Sequence, residues 1–155
     1  MQRSSIAARV VLLLSVALGP FALGYVLARW MPSVWGLSPS LWGWAFLVGW
    51  FLIGRQLGRQ GYGPAGLIAG VLPPLLGAGL FVQQFYLTPG EERSPGLLSL
   101  VGQLYPMIAV SPAASLIRIL GVTELDSRVG ILVAFAMVMG AFVVGFQSGR
   151  ATSSR

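Results

Sequence analysis

Three residue types that carry much of protein chemistry are missing from this chain: cysteine, histidine and lysine. Without cysteine there is no disulfide, no thiol redox step and no thiolate nucleophile, and the Cys/His metal sets are closed. Without histidine the usual general base is gone. Without lysine a Ser/Lys dyad cannot form, and none of the serines has a visible base. Acids are scarce too: Glu91, Glu92, Glu124 and Asp126 are the four in the chain. They fall in loops near Arg93 and Arg128 and read as solvated ion pairs, not as a catalytic carboxylate pair. No phosphate loop, dinucleotide fingerprint or prenylation motif is legible. The sequence therefore predicts a non-catalytic protein with no cofactor and no bound metal.

Charge of either sign is rare. Only 9% of the 155 residues are charged and 55% are hydrophobic, whereas a soluble domain carries roughly 25% charged residues. A surface this poor in charge suits lipid better than water. All ten cations are arginine, at 3, 9, 29, 55, 59, 93, 118, 128, 150 and 155, and the net charge is +6. They sit at the ends of apolar runs and not along one polar face. That placement reads as membrane topology and not as a nucleic-acid surface.

What the chain has in abundance is long apolar runs. Cutting it at its charges leaves five uncharged windows: 10–28, 30–54, 60–90, 94–117 and 129–149. A helix needs about 20 mostly apolar residues to cross the hydrocarbon core, and lipid leaves unpaired backbone groups no other partner. The expected fold is an all-α integral membrane protein forming one polytopic domain over 1–155. The apolar segments are expected at about 10–29, 39–57, 64–87, 95–121 and 129–149. The first follows Arg3 and Arg9 but is too long for a signal peptide, so it is expected to be retained.

Four of these segments read as full spans. The fourth in order, 95–121, is interrupted by Pro106 and by Ser111-Pro112. Serine followed by proline suits a helix start, as at Ser38-Pro39 and Ser94-Pro95. The segment therefore reads as two short helices, about 95–104 and 112–122, that enter the membrane and return. A single kinked fifth span is the competing reading. With a cytoplasmic N-terminus the arginines divide six inside to four outside in either case, but the re-entrant arrangement puts all four acids outside and is preferred. A bacterial plasma membrane suits the short loops. Trp30, Trp35, Trp42 and Trp44, with Phe85 and Tyr86, fit an aromatic belt at one interface. Arg55 and Arg59, one turn apart in "GRQLGRQG", suit an anionic headgroup layer.

Two helix faces stand out. In "GPAGLIAGVLPPLLGAGLFVQQFYL", Gly66, Gly70, Pro73, Gly77 and Gln84 share one sector at about 100° per residue. In "VGILVAFAMVMGAFVVGFQSG", Gly130, Ala134, Ala141, Gly145 and Ser148 do the same. Small residues let helix backbones approach closely in lipid, so both stripes are predicted packing faces, and each is a candidate partner for the other. Pro73-Pro74 predicts a kink in the third run. Gln84, Gln103, Tyr105 and Arg118, with Gln83 nearby, form a candidate polar site should the third and fourth segments adjoin. The partners expected are the lipid bilayer and either a membrane protein or further copies of this chain. The functional expectation is a subunit or accessory factor that acts through helix packing. The alternative is a carrier or channel for a small solute or ion, built around the broken helices.

Overall fold

The computed structural model describes residues 2–34, 39–90, 107–119 and 126–153, and their regular structure is all helical. α1 spans Gln2–Val34, α2 Pro39–Arg59, α3 Gly63–Val82, α4 Met107–Ile119 and α5 Ser127–Ser153. A π-helical turn, Gln83–Leu87, continues α3. α2 opens on Pro39, whose fixed φ and missing N–H suit the first turn of a helix. α2 and α3 are joined by a tight turn in which Gly61 and Gly63 take φ of 71° and 57°. Left-handed geometry of this kind is open to glycine at little steric cost.

Three helices are long and apolar enough to cross a membrane: α1 over Ile6–Leu23, α3 with its π-turn over Gly63–Leu87, and α5 over Arg128–Thr152. Four were expected. α2 falls short because Arg55 ends its uncharged stretch after Pro39–Gly54, about 24 Å at 1.5 Å per residue, and because tryptophan and glycine dilute its apolar character.

Helix directions follow from their contacts. Phe51 and Arg55 of α2 lie against Gly145 and Gly149 of α5, and Gly54 and Gly58 lie against Phe142 and Phe146. Both series ascend together, so α2 and α5 run parallel. On α3 the order reverses: Gly66 meets the Phe146 ring and Gly70 the Phe142 ring, while Phe81 lies 6.5 Å from Phe135 between ring centroids. α3 and α5 are thus antiparallel. The Arg9 guanidinium of α1 sits 5.5 Å above the ring of Tyr62, just ahead of α3. α1 and α5 therefore have their outer ends, and with them residues 2 and 153, at the same end of the bundle.

That geometry bears on the segment between α3 and α5. α3 ends where α5 begins: Arg128 of α5 donates a hydrogen bond from Nη1 to the Phe85 carbonyl, 3.3 Å away. The connection from residue 88 to residue 126 leaves and returns at one end. Within it, α4 has 13 residues, about 20 Å at 1.5 Å per residue, which is too short to cross.

The start of this helix corrects the sequence expectation. α4 begins at Met107, so Pro112 is inside it and Ser111-Pro112 does not start a helix. Proline there forfeits only the bond to the Ile108 carbonyl. Its ring is instead fully buried with Ala109 and Ala113, on one face at i, i+3 and i+4, and packing outweighs the lost bond. The first short helix, expected at about 95–104, lies outside the described residues.

The core is an aromatic spine on α5. Phe135, Val138, Phe142 and Phe146 are each no more than 1% exposed. Trp50 of α2 packs its ring 5.3 Å from that of Phe142 and stacks on Phe46 at 5.6 Å. α3 presents Gly66, Gly70, Pro74, Gly77 and Phe81 as its buried face. Pro74 takes the place expected of Pro73, which is half-buried. α3 continues through both prolines.

Candidate functional site: a glycine-cut crossing, a basic end and an apolar groove

α2 and α5 approach each other closely, backbone against backbone. A Cβ placed on Gly145 would strike the Phe51 carbonyl oxygen, and one on Gly149 the Arg55 carbonyl oxygen. A Cβ on Gly54 or Gly58 would strike the carbonyl oxygens of Phe142 and Phe146 in the same way. The two Gly-xxx-Gly pairs therefore interlock backbone to backbone. In lipid such crossings are held by dispersion and weak Cα–H···O contacts. Both pairs can be read in the sequence, as "GRQLG" and "GFQSG". The α2 pair escaped attention because its arginines drew the reading.

The predicted packing residues divide. Gly66 and Gly70 of α3 do meet α5, but through the Phe146 and Phe142 rings and not through the α5 stripe. Gly77 and Ala134 are buried, and Gly145 faces α2. Gly130 and Ala141 are only half-buried, and a Cβ on Gly130 would meet nothing within 4 Å. Ser148 turns its hydroxyl inward along the helix and donates to the Gly145 carbonyl at 2.8 Å.

The candidate polar site is not assembled among the described residues. Gln84 is half-buried in the π-turn of α3. Gln103 and Tyr105 lie outside the described residues, as does the side chain of Arg118, whose backbone is in α4. No buried polar or charged side chain appears in the described core, and no group of three potential metal ligands is found among the described residues. Of the residues expected to form an aromatic belt, Trp44 and Tyr86 are exposed and Phe85 is half-buried. They lie toward the end where α2 starts and α3 finishes. Trp35 and the side chains of Trp30 and Trp42 lie outside the described residues.

Two surface features remain. At the end where α1 begins and α2 and α5 finish, Arg9, Arg55, Arg59 and Arg150 are all exposed. Among the described residues this end carries no acid; Asp126 lies at the other. Running away from the basic end is a groove of about 410 Å³ between α1 and α2. Leu12, Val16, Pro20 and Leu23 line one wall, and Phe46, Trp50 and Ile53 the other, with Gly19 and Gly49 between. The Trp50 indole N–H, covered within this wall, has no acceptor among the described residues.

Among the described residues, these features define an all-helical protein with three helices long and apolar enough to cross a membrane. The chain matches no family model, no curated protein and no solved structure.

Proposed function

We propose that this is a small, non-catalytic, polytopic membrane protein that serves as a subunit or accessory factor in a membrane assembly. One observation carries the reading: the described core is built from apolar rings and backbone contacts, with no buried polar or charged side chain. Such an interior supports packing better than it supports passage of a solute. On this reading α2 also crosses the membrane, its Arg55 and Arg59 reaching the headgroup layer. Together with α1, α3 and α5 it makes four crossings, and α4 does not cross. The basic end faces the cytoplasm of a bacterial cell by the positive-inside rule.

The test is the state of the protein extracted from its own membrane in mild detergent. Cross-linking before extraction, followed by mass measurement of the purified species, is expected to give a defined oligomer or a stoichiometric complex. A strictly monomeric species with no cross-linked partner would count against the proposal. A carrier or channel would announce itself differently, by solute flux in liposomes that is lost on changing Gln84, Gln103 or Arg118.

A further inference from the structure

We propose that the groove between α1 and α2 holds one acyl chain of an anionic phospholipid, whose phosphate is met by Arg9. The proposal rests on membrane insertion and not on the assembly role above.

The dimensions of the groove suit a hydrocarbon chain. The groove follows α1 from Leu12 to Leu23, about 17 Å at 1.5 Å per residue. That is close to half of the roughly 30 Å hydrocarbon core, the depth of one leaflet. Dividing 410 Å³ by that length gives a cross-section of about 24 Å². Carbon atoms in contact sit roughly 3.5–4.0 Å apart, so a single hydrocarbon chain fits within that cross-section.

The glycines of the groove point the same way. Gly54, Gly58, Gly66, Gly70, Gly145 and Gly149 are each required by a neighbour inside the bundle. Gly19 and Gly49 are not, since a Cβ on either would meet nothing within 4 Å. Both line the groove. What their missing side chains provide is open space between two helices that follow one another in the chain.

Charge sets the headgroup. Arg9 lies one turn before Leu12, the first groove residue of α1, and its guanidinium is over the Tyr62 ring at the basic end, just beyond the groove lining. It therefore stands at the mouth, where the headgroup of a lipid seated in the groove would lie. Arg55, Arg59 and Arg150 add positive potential at the same end, with no acid among the described residues to offset it. A phosphate without a compensating cation is favoured there over a zwitterionic headgroup.

The test uses protein recovered from the membrane fraction and mass spectrometry of the intact detergent-solubilised species. Phosphatidylglycerol and phosphatidylcholine with identical chains are supplied as probes. The wild-type chain is expected to retain phosphatidylglycerol in preference to phosphatidylcholine. Gly49→Leu fills the groove from α2 and Gly19→Leu fills it from α1, so either variant that folds should lose this retention. Arg9→Gln should lower it about fivefold, the equivalent of roughly 1 kcal/mol for one arginine at a membrane surface. Gly79→Leu is the control: it too adds a side chain where nothing lies within 4 Å, but away from the groove, and should leave retention unchanged. Equal retention of the two lipids, or undiminished retention in a folded groove-filled variant, would overturn the proposal. Absence of the chain from the membrane fraction would overturn the membrane reading as well.

Discussion

Gly140 and Gly145 lie on the same helix, five residues apart, yet a methyl group added to each meets opposite surroundings. At Gly145 it strikes the backbone of α2 at Phe51; at Gly140 it meets nothing within 4 Å. Backbone cannot swing aside as a side chain can, so Gly145→Ala must part the two helices. We expect it to cost about 1–3 kcal/mol, the usual range for overpacking. Gly140→Ala should be neutral or stabilise by up to about 1 kcal/mol, since alanine favours helix over glycine. Gly70→Ala should fall between them, because it meets the Phe142 ring, which can shift only within a closed core. Thermal unfolding in one mild detergent ranks the three, and equal shifts for Gly145 and Gly140 would refute the assignment. The sequence shows all three glycines but not which is cut to fit. That depends on what stands opposite, and the opposing atoms are carbonyls on a helix more than eighty residues away in the chain.

At the level of the element, the start of α5 shows a loop acid with a second role beyond its solvated ion pair. Asp126 and Arg128 are near enough for an ion pair, at 3.8 Å, but both side chains are substantially exposed. Pairs of this kind contribute about 0–1 kcal/mol. The stronger role of Asp126 is as an N-cap: its Oδ1 accepts from the backbone N–H of Arg128 at 2.9 Å, satisfying a donor the helix cannot. Asp126→Ala should therefore cost about 1 kcal/mol, whereas Asp126→Asn, which keeps the cap and removes the charge, should cost little. Equal losses in the two variants, measured by thermal unfolding, would make the ion pair the stronger contribution. Helix locations were largely legible from apolar runs, and Pro39 at the head of α2 was read from Ser38-Pro39. Pro112 was misplaced by the same rule. A proline signals a helix start only when its missing N–H has no better use, and at Pro112 the buried contact with Ala109 and Ala113 decides the matter. Local sequence does not contain that contact. The groove was likewise illegible, because it is the space left between two helices and no residue type announces it.

For the whole molecule the decisive feature is direction. Charge counting left the crossing of residues 95–121 open, since arginines divide six to four either way. Packing adds what counting could not: α2 and α5 ascend together, α3 descends against them, and Arg128 reaches the carbonyl where α3 ends. On the proposed reading, in which α2 crosses with α1, α3 and α5, this arrangement predicts an even number of crossings, with residues 2 and 153 on one side. The absence of cysteine makes the prediction clean to test, because each introduced thiol will be the only one. Ser5→Cys on α1 and Ser153→Cys on α5 should react with a membrane-impermeant maleimide from the same face of sealed vesicles. Gly90→Cys, beyond the far end of α3 and exposed, should react from the other face. Labelling of Ser5→Cys and Ser153→Cys from opposite faces would mean an odd number of crossings. The parallel pairing of α2 with α5 could not then stand, because two helices locked by interleaved glycines cannot enter the membrane from opposite sides while their contacts ascend in register.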